Sequence, residues 1–156
     1  MRKKRNIKRD IAPDNKYDNT LVAKFINHLM RDGKKSVAQK IFYSAFDSIE
    51  KNNKGKDVLE VFDLAIKNAS PFVEVRSRRI GGARYQVPRE VRGERKIALS
   101  MNWIIQAARS QKGKPMYERL AKELLDASKN EGVAVRKKED THKIADANKA
   151  FAHFGW

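Results

Sequence analysis

Four arginines lie close together in the middle of the chain, around a pair of adjacent glycines. They are Arg76, Arg78, Arg79 and Arg84, and the glycines are Gly81 and Gly82. A guanidinium group is planar and permanently charged, so it can hold a phosphate through two parallel hydrogen bonds and can stack on bases. Glycine lets the backbone approach such a ligand closely. The alternative is a solvated ribbon that uses charge against aggregation. Lysine serves that purpose well, so the use of arginine throughout favours contact with nucleic acid.

A second basic cluster surrounds the predicted start of a helix near residue 92. Its members are Arg89, Arg92, Arg95 and Lys96. Helix N-termini prefer acidic side chains, so these basic residues go against that preference. A phosphate suits both the free N–H groups and the arginines. Salt bridges to the interleaved Glu90 and Glu94 are the alternative, and we favour phosphate over them.

Two further basic groups lie at the ends or on the faces of predicted helices. Lys34 and Lys35 follow Gly33 at a helix junction. The last predicted helix carries Arg136, Lys137, Lys138 and Lys143. Arg136 and Lys143 are seven positions apart and therefore share a face. For both groups, RNA binding and a solvated helix surface are equally good interpretations.

The first sixteen residues form a basic arm. Its basic side chains before residue 10 are Arg2, Lys3, Lys4, Arg5, Lys8 and Arg9. The arm has almost nothing to bury, so we expect it to be disordered alone and ordered on a phosphate backbone. A solvated tail is the alternative, and it is less favoured for an arm joined to a basic domain.

The distribution of charge supports a binding surface. The 156 residues include 35 basic and 19 acidic ones, for a net charge of +16. Residues 1–16 carry +5 and residues 71–96 carry a further +5, so 42 residues hold +10 of the total. A protein that is merely soluble and basic spreads its charge along the chain, whereas concentrated charge indicates a binding footprint. Nucleic acid is the usual partner, and an anionic membrane surface is the other candidate. No apolar run reaches the roughly 18 residues of a membrane span.

Signals for an enzyme are weak. The chain has no cysteine, which excludes a disulfide framework, a thiolate zinc site and a cysteine nucleophile, and which suits a reducing cytoplasm. His28, His142 and His153 lack metal-ligand spacing. Residues 139–142, Glu-Asp-Thr-His, are consecutive helix positions that point in different directions. No phosphate loop, nucleophile elbow or dinucleotide motif occurs. We therefore predict no catalytic residue, no cofactor and no metal site.

Hydrophobic periodicity predicts the helices that position the basic residues. Helical stripes cover residues 19–30, 37–49 and 58–69. Asp18 or Asn19 can cap the first helix, and Gly33 ends it. Asp57 and Glu60 have capping-box spacing at the start of the third. Three more helices begin near residues 92, 116 and 133, and the last is weakly apolar, with Ala134, Thr141, Ile144 and Ala145.

These elements define the predicted fold class, which is mainly α. We expect a bundle of about six helices, with one protruding β-hairpin at about residues 72–88 between the third and fourth helices. The basic N-terminal arm is residues 1–16, and residues 17–156 form a single helical RNA-binding domain. Trp103 is expected to pack in the core or at its rim, in preference to stacking on a base. Phe154 and Trp156 can anchor the C-terminus, stack on bases or meet a partner, and anchoring is slightly favoured.

The hairpin allows two registers. A loop of Gly81-Gly82 alone pairs Val75 with Pro88 and Arg76 with Val87, which mixes the faces. A three-residue loop that includes Ile80 pairs Val75 with Val87 and Ser77 with Tyr85. We predict the second register because one face is then apolar throughout. It places Arg78 opposite Arg84, and such a like-charge pair makes sense if an anion normally lies there.

The central block, residues 71–88 (PFVEVRSRRIGGARYQVP), closely resembles the hairpin of the family of small-subunit ribosomal protein seven, in its bacterial and organellar type. Similar motifs are Lys8-Arg9-Asp10 with Pro13-Asp14, residues 123–127 (ELLDA), residues 138–143 (KEDTHK) and residues 147–153 (ANKAFAH). The resemblance covers essentially the whole chain. Arg84, Arg89 and Gly155 depart from residues common in bacterial members, which affects side-chain detail at the hairpin and the C-terminus.

The resemblance implies a structural ribosomal protein that binds the lower part of the 3′ major domain of 16S ribosomal RNA and nucleates assembly of the subunit head. It implies that the arginine hairpin with its two glycines lies by the exit-site transfer RNA and the messenger path. The arm, Lys34, Lys35 and the basic residues of the fourth and sixth helices then contact ribosomal RNA. Small-subunit proteins nine and eleven are the implied neighbours. We expect a cytoplasmic protein that neither binds membranes nor forms homo-oligomers.

Two alternatives remain. An architectural DNA-binding protein inserts a β-arm into the minor groove, with an apolar or proline wedge near the tip. Here Pro88 lies at the strand base and the tip is Ile80-Gly81-Gly82, so this alternative ranks lower. An RNA-modifying enzyme is the other, and the sequence offers it neither an acid–base pair nor a cofactor loop.

Overall fold

A computed structural model describes residues 10–52 and 57–154 of the chain. In chain order its elements are α1 (Thr20–Leu29), α2 (Lys35–Asn52), α3 (Val58–Ala69), β1 (Val73–Ile80), β2 (Ala83–Glu90), α4 (Gly93–Ser110), α5 (Met116–Ser128), α6 (Val133–Ala147) and a C-terminal 3-10 helix (Lys149–Phe154). The mainly α fold class with its hairpin between α3 and α4 is confirmed. The 3-10 helix was not predicted. Contacts divide the chain into two compact units at Lys40 and Ile41, within α2.

In the first unit, local hydrogen bonds define where α1 begins. The buried Asp14 carboxylate accepts hydrogen bonds from the backbone N–H groups of Lys16, at 3.1 Å, and Tyr17, at 3.3 Å. Asn19 caps α1 by accepting from the Leu21 N–H at 2.7 Å, so Asn19 and not Asp18 is the cap. The helix ends at Leu29, earlier than the predicted stop at Gly33, because Met30 already has an extended backbone. Its apolar stripe is buried as expected, at Val22, Ala23, Phe25, Ile26 and Leu29.

The second unit has an aromatic and aliphatic core. The rings of Phe42 and Phe46 lie 4.2 Å apart between centroids, and Phe62 of α3 meets both at 5.7 and 5.6 Å. Helix α3 packs against α5 and α4, and α4 packs against α5 and α6. Trp103 is buried in α4, as predicted. Helix α6 of this bundle also contacts both strands of the hairpin.

Several helix ends are capped by side chains from distant parts of the sequence. The Lys138 ammonium donates to the Asn68 carbonyl at 2.6 Å, near the end of α3. The Asn68 amide donates to the carbonyls of Ala127 and Ser128 at the end of α5.

At the start of α3 the cap is local. Asp57 accepts a hydrogen bond from the Leu59 N–H at 3.0 Å, and not from the Glu60 N–H as in the predicted capping box. Such partners satisfy backbone groups that a helix end cannot satisfy itself.

The predicted hairpin register is wrong. The turn contains Gly81 and Gly82 alone, Ile80 pairs with Ala83, and Val75 pairs with Pro88. Both glycines have positive φ, +57° and +90°, which is the conformation of the two-residue turn whose twist matches that of the flanking strands. A side chain at either position would be strained, so the glycine pair suits this turn.

The hairpin is covered on both faces, which explains why its register differs from the predicted one. Val75 and Gln86 line a recess together with Leu99 of α4 and Ile144 of α6. On the opposite face, the Tyr85 ring lies 5.2 Å from Phe151 of the 3-10 helix. Alternation specifies register where one face is buried and the other is solvated. Since both faces pack here, turn geometry decided the register.

Helix α6 is weakly apolar, as predicted, but its buried residues differ in part. Ala134 and Ala145 are buried, and so is Val135. Ile144, one of the apolar residues of this helix, is 50% exposed. It lies at the rim of the recess beneath the hairpin.

Candidate nucleic-acid interface

The hairpin tip presents two arginines directly opposite each other. Arg79 pairs with Arg84 next to the Gly81-Gly82 turn, and both side chains are exposed. The predicted like-charge pair is therefore present, but with Arg79 in place of Arg78, because the loop is one residue shorter than predicted. Arg78 pairs with Tyr85 and is partly buried. Opposed like charges destabilise a ladder, and an anion between them relieves the repulsion.

At the hairpin base, one carboxylate joins arginines from two elements. Glu74 of β1 accepts from Arg76 Nε at 2.8 Å and forms an ion pair with Arg76 Nη2 at 2.7 Å, both through Oε1. Its Oε2 accepts a hydrogen bond from Nε of Arg95, in α4, at 3.3 Å. The Glu74 side chain is only 13% exposed, whereas the two arginines are 55% and 53% exposed. The Glu74 carboxylate is therefore largely covered, whereas the guanidinium groups of Arg76 and Arg95 face solvent.

The start of α4 lies beside this ion-pair network. Arg92 is the N-cap residue, and its side chain makes no capping hydrogen bond. The helix therefore begins with N–H groups that can donate to a phosphate oxygen. The Lys96 ammonium lies 4.7 Å above the ring of Phe72, which precedes β1. Arg95 forms an ion pair with Glu74 of β1, a partner outside the glutamates interleaved with this basic cluster.

Helix α6 contributes its middle turns to the same region. The backbone N–H of Phe72 donates to His142 Nε2 at 3.1 Å. Arg136 and Lys143 are exposed, as expected for one solvent-facing side. Lys137 donates to the Gln106 side chain at 2.7 Å, and Lys138 caps α3, so these two lysines also hold the helices together. His142 is thus a structural acceptor within the described part of the chain.

The remaining predicted binding residues lie either in the first unit or outside the described residues. Lys34 and Lys35 lie in the first unit, exposed, at the turn that leads into α2. The backbone N–H of Lys34 donates to the Arg31 carbonyl, and that of Lys35 to the Gly33 carbonyl. The arm residues Arg2, Lys3, Lys4, Arg5, Lys8 and Arg9 lie outside the described residues. All of these assignments stay predictions.

Sequence reasoning missed Glu74 and Phe72. In the sequence, Glu74 occupies one of the polar positions that alternate with Val73 and Val75, and nothing else distinguishes it in that pattern. A lone acidic residue in an arginine-rich strand is a usable signal, because a carboxylate and a guanidinium form strong charge-assisted hydrogen bonds. Phe72 is 64% exposed and serves as the surface on which Lys96 rests. The sequence offers no comparable signal for Phe72.

A buried acidic residue lies away from the basic surface. Glu123 of α5 is 1% exposed, and its Oε1 accepts from the Ala134 N–H at 2.9 Å. Its Oε2 accepts from Gln111 Nε2 at 3.3 Å. Burial raises the pKa of the Glu123 carboxyl, and the hydrogen bond from Ala134 opposes that change. Because its two oxygens hold a helix end and a side-chain amide, this residue has a structural role.

Metal-binding clusters and membrane-spanning helices are both absent from the described segments. Among residues 10–52 and 57–154, no group of histidine and acidic side chains is arranged to hold a metal ion. Within the same residues, no helix has the length and apolar character needed to cross a membrane.

Comparison with known proteins identifies the family. The family model described as "Ribosomal protein S7p/S5e" matches residues 1–149. The chain belongs to this family. It is 57% identical over 155 residues to "Small ribosomal subunit protein uS7" of Francisella tularensis subsp. holarctica (strain OSU18), a match that covers 99% of both chains. The proteins of the same name from F. tularensis subsp. novicida (strain U112) and F. philomiragia are each 56% identical over the same coverage.

Membership confirms the resemblance that the hairpin block and the other motifs carried. The chain is a structural protein of the small ribosomal subunit, takes part in translation as part of a ribonucleoprotein, and associates with ribosomal RNA. It therefore works in the ribosome, in the cytoplasm, as predicted. The relatives carry the name of a structural ribosomal protein, which is not the name of an enzyme.

Proposed function

We propose that the chain is a primary binder of 16S ribosomal RNA, on the 3′ major domain, and that this binding nucleates assembly of the small-subunit head. The observation that carries the proposal is the meeting of basic side chains from β1 and α4 at the hairpin base, where α6 holds the adjoining backbone. Arg76 and Arg95 share the Glu74 carboxylate, Lys96 rests on Phe72, and α6 holds the Phe72 backbone through His142.

The mechanism is charge neutralisation at fixed positions. Helical RNA junctions offer phosphates and shape in place of readable groove edges, which suits arginines held on a rigid platform. Lys34 and Lys35, together with the basic arm of residues 1–16, add phosphate contacts. Lys137 and Lys138 contribute positive charge to RNA binding while they also link α6 to α4 and α3. The contacts of the second unit come from Arg92, Arg95, Lys96, Arg136 and Lys143.

The outer hairpin has a different partner in this proposal. Arg78, Arg79 and Arg84, with the Gly81-Gly82 turn, lie near the exit-site transfer RNA and the messenger RNA path. Exposure of Arg79 and Arg84 and the tight turn between them support contact with a passing strand. Small-subunit proteins nine and eleven are the neighbouring proteins. The chain acts as a single copy, as one helical domain over residues 17–156, without a cofactor.

Competition binding tests this function. We expect a fragment of the 3′ major domain of 16S ribosomal RNA to bind the full chain far more tightly than duplex DNA of equal length at moderate salt, with protected nucleotides in one compact region of the fragment. Changing Arg92 and Lys96 together to Ala should weaken binding of the fragment at least about tenfold, since two charge-assisted hydrogen bonds to phosphate no longer form. Equal affinity for the DNA would overturn the proposal and favour the architectural DNA-binding alternative.

A further inference from the structure

Glu74 holds two arginines that the sequence assigned to different RNA partners. Arg76 belongs to the hairpin, and Arg95 belongs to α4. In the structure both guanidinium groups contact the same carboxylate, one through Oε1 and the other through Oε2. They therefore lie on the two oxygens of one carboxylate, at 2.7 and 3.3 Å from it. Groups this close together are better placed to serve one RNA segment than two separate RNA molecules.

The way the carboxylate is bound leaves donors available. Arg95 uses its Nε for Glu74, which leaves both terminal nitrogens outside this ion pair. Arg76 uses Nε and Nη2, which leaves Nη1. Terminal nitrogens make the paired hydrogen bonds to a phosphate. Since more than half of each arginine side chain is exposed, these donors can reach a ligand from solvent.

We infer that Glu74 is a positioning residue that joins Arg76 and Arg95 into one site for a single RNA phosphate. The inference rests on the proposed function, because it names the group of the RNA that this part of the basic surface holds. Arg76 thereby works with the ribosomal RNA contacts of α4, whereas Arg78, Arg79 and Arg84 remain with the outer hairpin. The low exposure of Glu74 supports this role, because a largely covered carboxylate orients its partners and stays away from the RNA backbone.

A simple charge argument makes the opposite prediction for Glu74, which allows a sharp test. Removing an acidic side chain near bound RNA reduces repulsion and should strengthen binding. Removing a positioning residue should weaken it, because two flexible guanidinium groups then pay the entropy of ordering on binding. Glu90 is the matched control: it lies at the same end of the hairpin, is exposed, and forms no ion pair within the described residues.

The experiment measures affinity of the full chain for the 3′ major domain fragment over a range of salt concentrations. We expect E74Q to weaken binding about threefold to tenfold, as for one misplaced charge-assisted hydrogen bond, and E90Q to leave it unchanged or strengthen it. Thermal melting should stay close to that of the unmodified chain for both variants, because the arginines paired with Glu74 are more than half exposed and ion pairs of such groups contribute little to stability, and because Glu90 is itself exposed. E74Q binding as tightly as E90Q would overturn the inference.

The slope of log affinity against log salt concentration, here called the salt slope, reports how many phosphates the protein neutralises. Arg76→Ala and Arg95→Ala should each lower the slope by clearly less than one unit, because the remaining arginine still neutralises the shared phosphate, and the double variant should lower it by about one unit in total. A reduction of about two units in the double variant means separate phosphates and rejects the shared site. If the fragment binds no better than duplex DNA, the proposed function fails, while the slopes measured on either nucleic acid still decide whether the phosphate is shared.

Discussion

Glu123 shows how one side chain replaces a helix cap that the local sequence does not supply. Helix α6 begins after Gly132, which has no side chain and therefore makes no capping hydrogen bond. Its φ is +94°, and a Cβ there would lie 3.1 Å from Glu123 Oε1, so glycine suits both the backbone and the space. The Glu123 carboxylate, from α5, accepts from the Ala134 N–H instead. A negative charge at a helix N-terminus is also favourable.

The raised pKa of Glu123 predicts how stability changes with pH. Burial makes the folded protein keep this proton to higher pH than the unfolded chain does. Between the ordinary pKa and the raised pKa, the folded state binds more protons, so this group's contribution to stability falls as pH rises. Glu123→Gln removes that titration. We expect the free energy of unfolding of E123Q, relative to the unmodified chain, to rise with pH above the ordinary pKa of a glutamate, as measured in urea titrations at a series of pH values.

Glu123→Ala is the companion variant, because it removes the acceptors as well as the charge. It leaves the buried Ala134 N–H unsatisfied and opens a cavity, so we expect the free energy of unfolding to fall by about 2–4 kcal/mol at neutral pH. E123Q should be destabilised clearly less, since the amide oxygen can still accept from Ala134. A relative stability of E123Q that stays flat across the pH range would mean that the carboxyl titrates alike in the folded and unfolded chains.

At the scale of the hairpin, turn chemistry and function place different demands on the same residues. The two-residue glycine turn brings Arg79 and Arg84 directly opposite each other. Cross-strand like charges oppose pairing, so this element is less stable than a ribbon with a neutral tip. Packing of Tyr85 against Phe151 and Phe154 of the 3-10 helix, with ring centroids 5.2 and 5.5 Å apart, offsets that cost.

Replacing both tip arginines should therefore change stability and function in opposite directions. We expect Arg79→Ala with Arg84→Ala to leave the free energy of unfolding unchanged or to raise it by about 0.2–1 kcal/mol, because the like-charge pair is gone. Retention of exit-site transfer RNA by small subunits that carry the variant should fall. Chemical denaturation and a transfer-RNA retention assay measure the two effects.

Arg31→Ala provides a matched control for that pair. Arg31 is an exposed arginine in the first unit and belongs to none of the predicted binding groups. Its replacement should leave transfer RNA retention unchanged. A drop in melting temperature for the tip variant, with retention intact, would mean that the arginines hold the hairpin and do not contact RNA.

At the scale of the whole molecule, charge placement determines how binding depends on salt. Residues 1–16 and 71–96 together hold +10 of the net +16. Each phosphate neutralised releases counterions, so the slope of log affinity against log salt reports the number of neutralised phosphates. The arm and the hairpin region should therefore account for most of the slope.

Removal of residues 1–9 tests the arm, which carries six basic and no acidic side chains there. We expect the salt slope for the 3′ major domain fragment to fall by up to about one unit for each phosphate that the arm neutralises. A variant with six lysines changed to Gln controls for the change in net charge, because none of the six belongs to a predicted binding group; they are Lys40, Lys51, Lys112, Lys114, Lys122 and Lys129. A slope that falls equally in both variants would indicate a general charge effect.

Much of the fold was predictable because local signals agreed. The apolar stripes of α1, α2 and α3 match 3.6-residue periodicity, and their buried residues follow from it. Asn19 and Asp57 are caps that their residue type suggests. The hairpin register was predicted wrongly, since the pattern rule assumes a single packed face and this ribbon packs on both. Similarly, periodicity does not show that Ile144 of α6 is half exposed, because its position at the rim of the recess depends on where the hairpin lies.

The sequence by itself determined the six α-helices, the position of the hairpin, the concentration of basic residues and the family. These depend on residues near one another in the chain or on a long, specific block such as residues 71–88. Tertiary structure alone decided that Glu74 joins Arg76 to Arg95, that Lys138 caps α3, and that Glu123 caps α6. Each of these arrangements joins groups from separate elements. Their geometry depends on how the helices pack, and local periodicity carries no information about that packing.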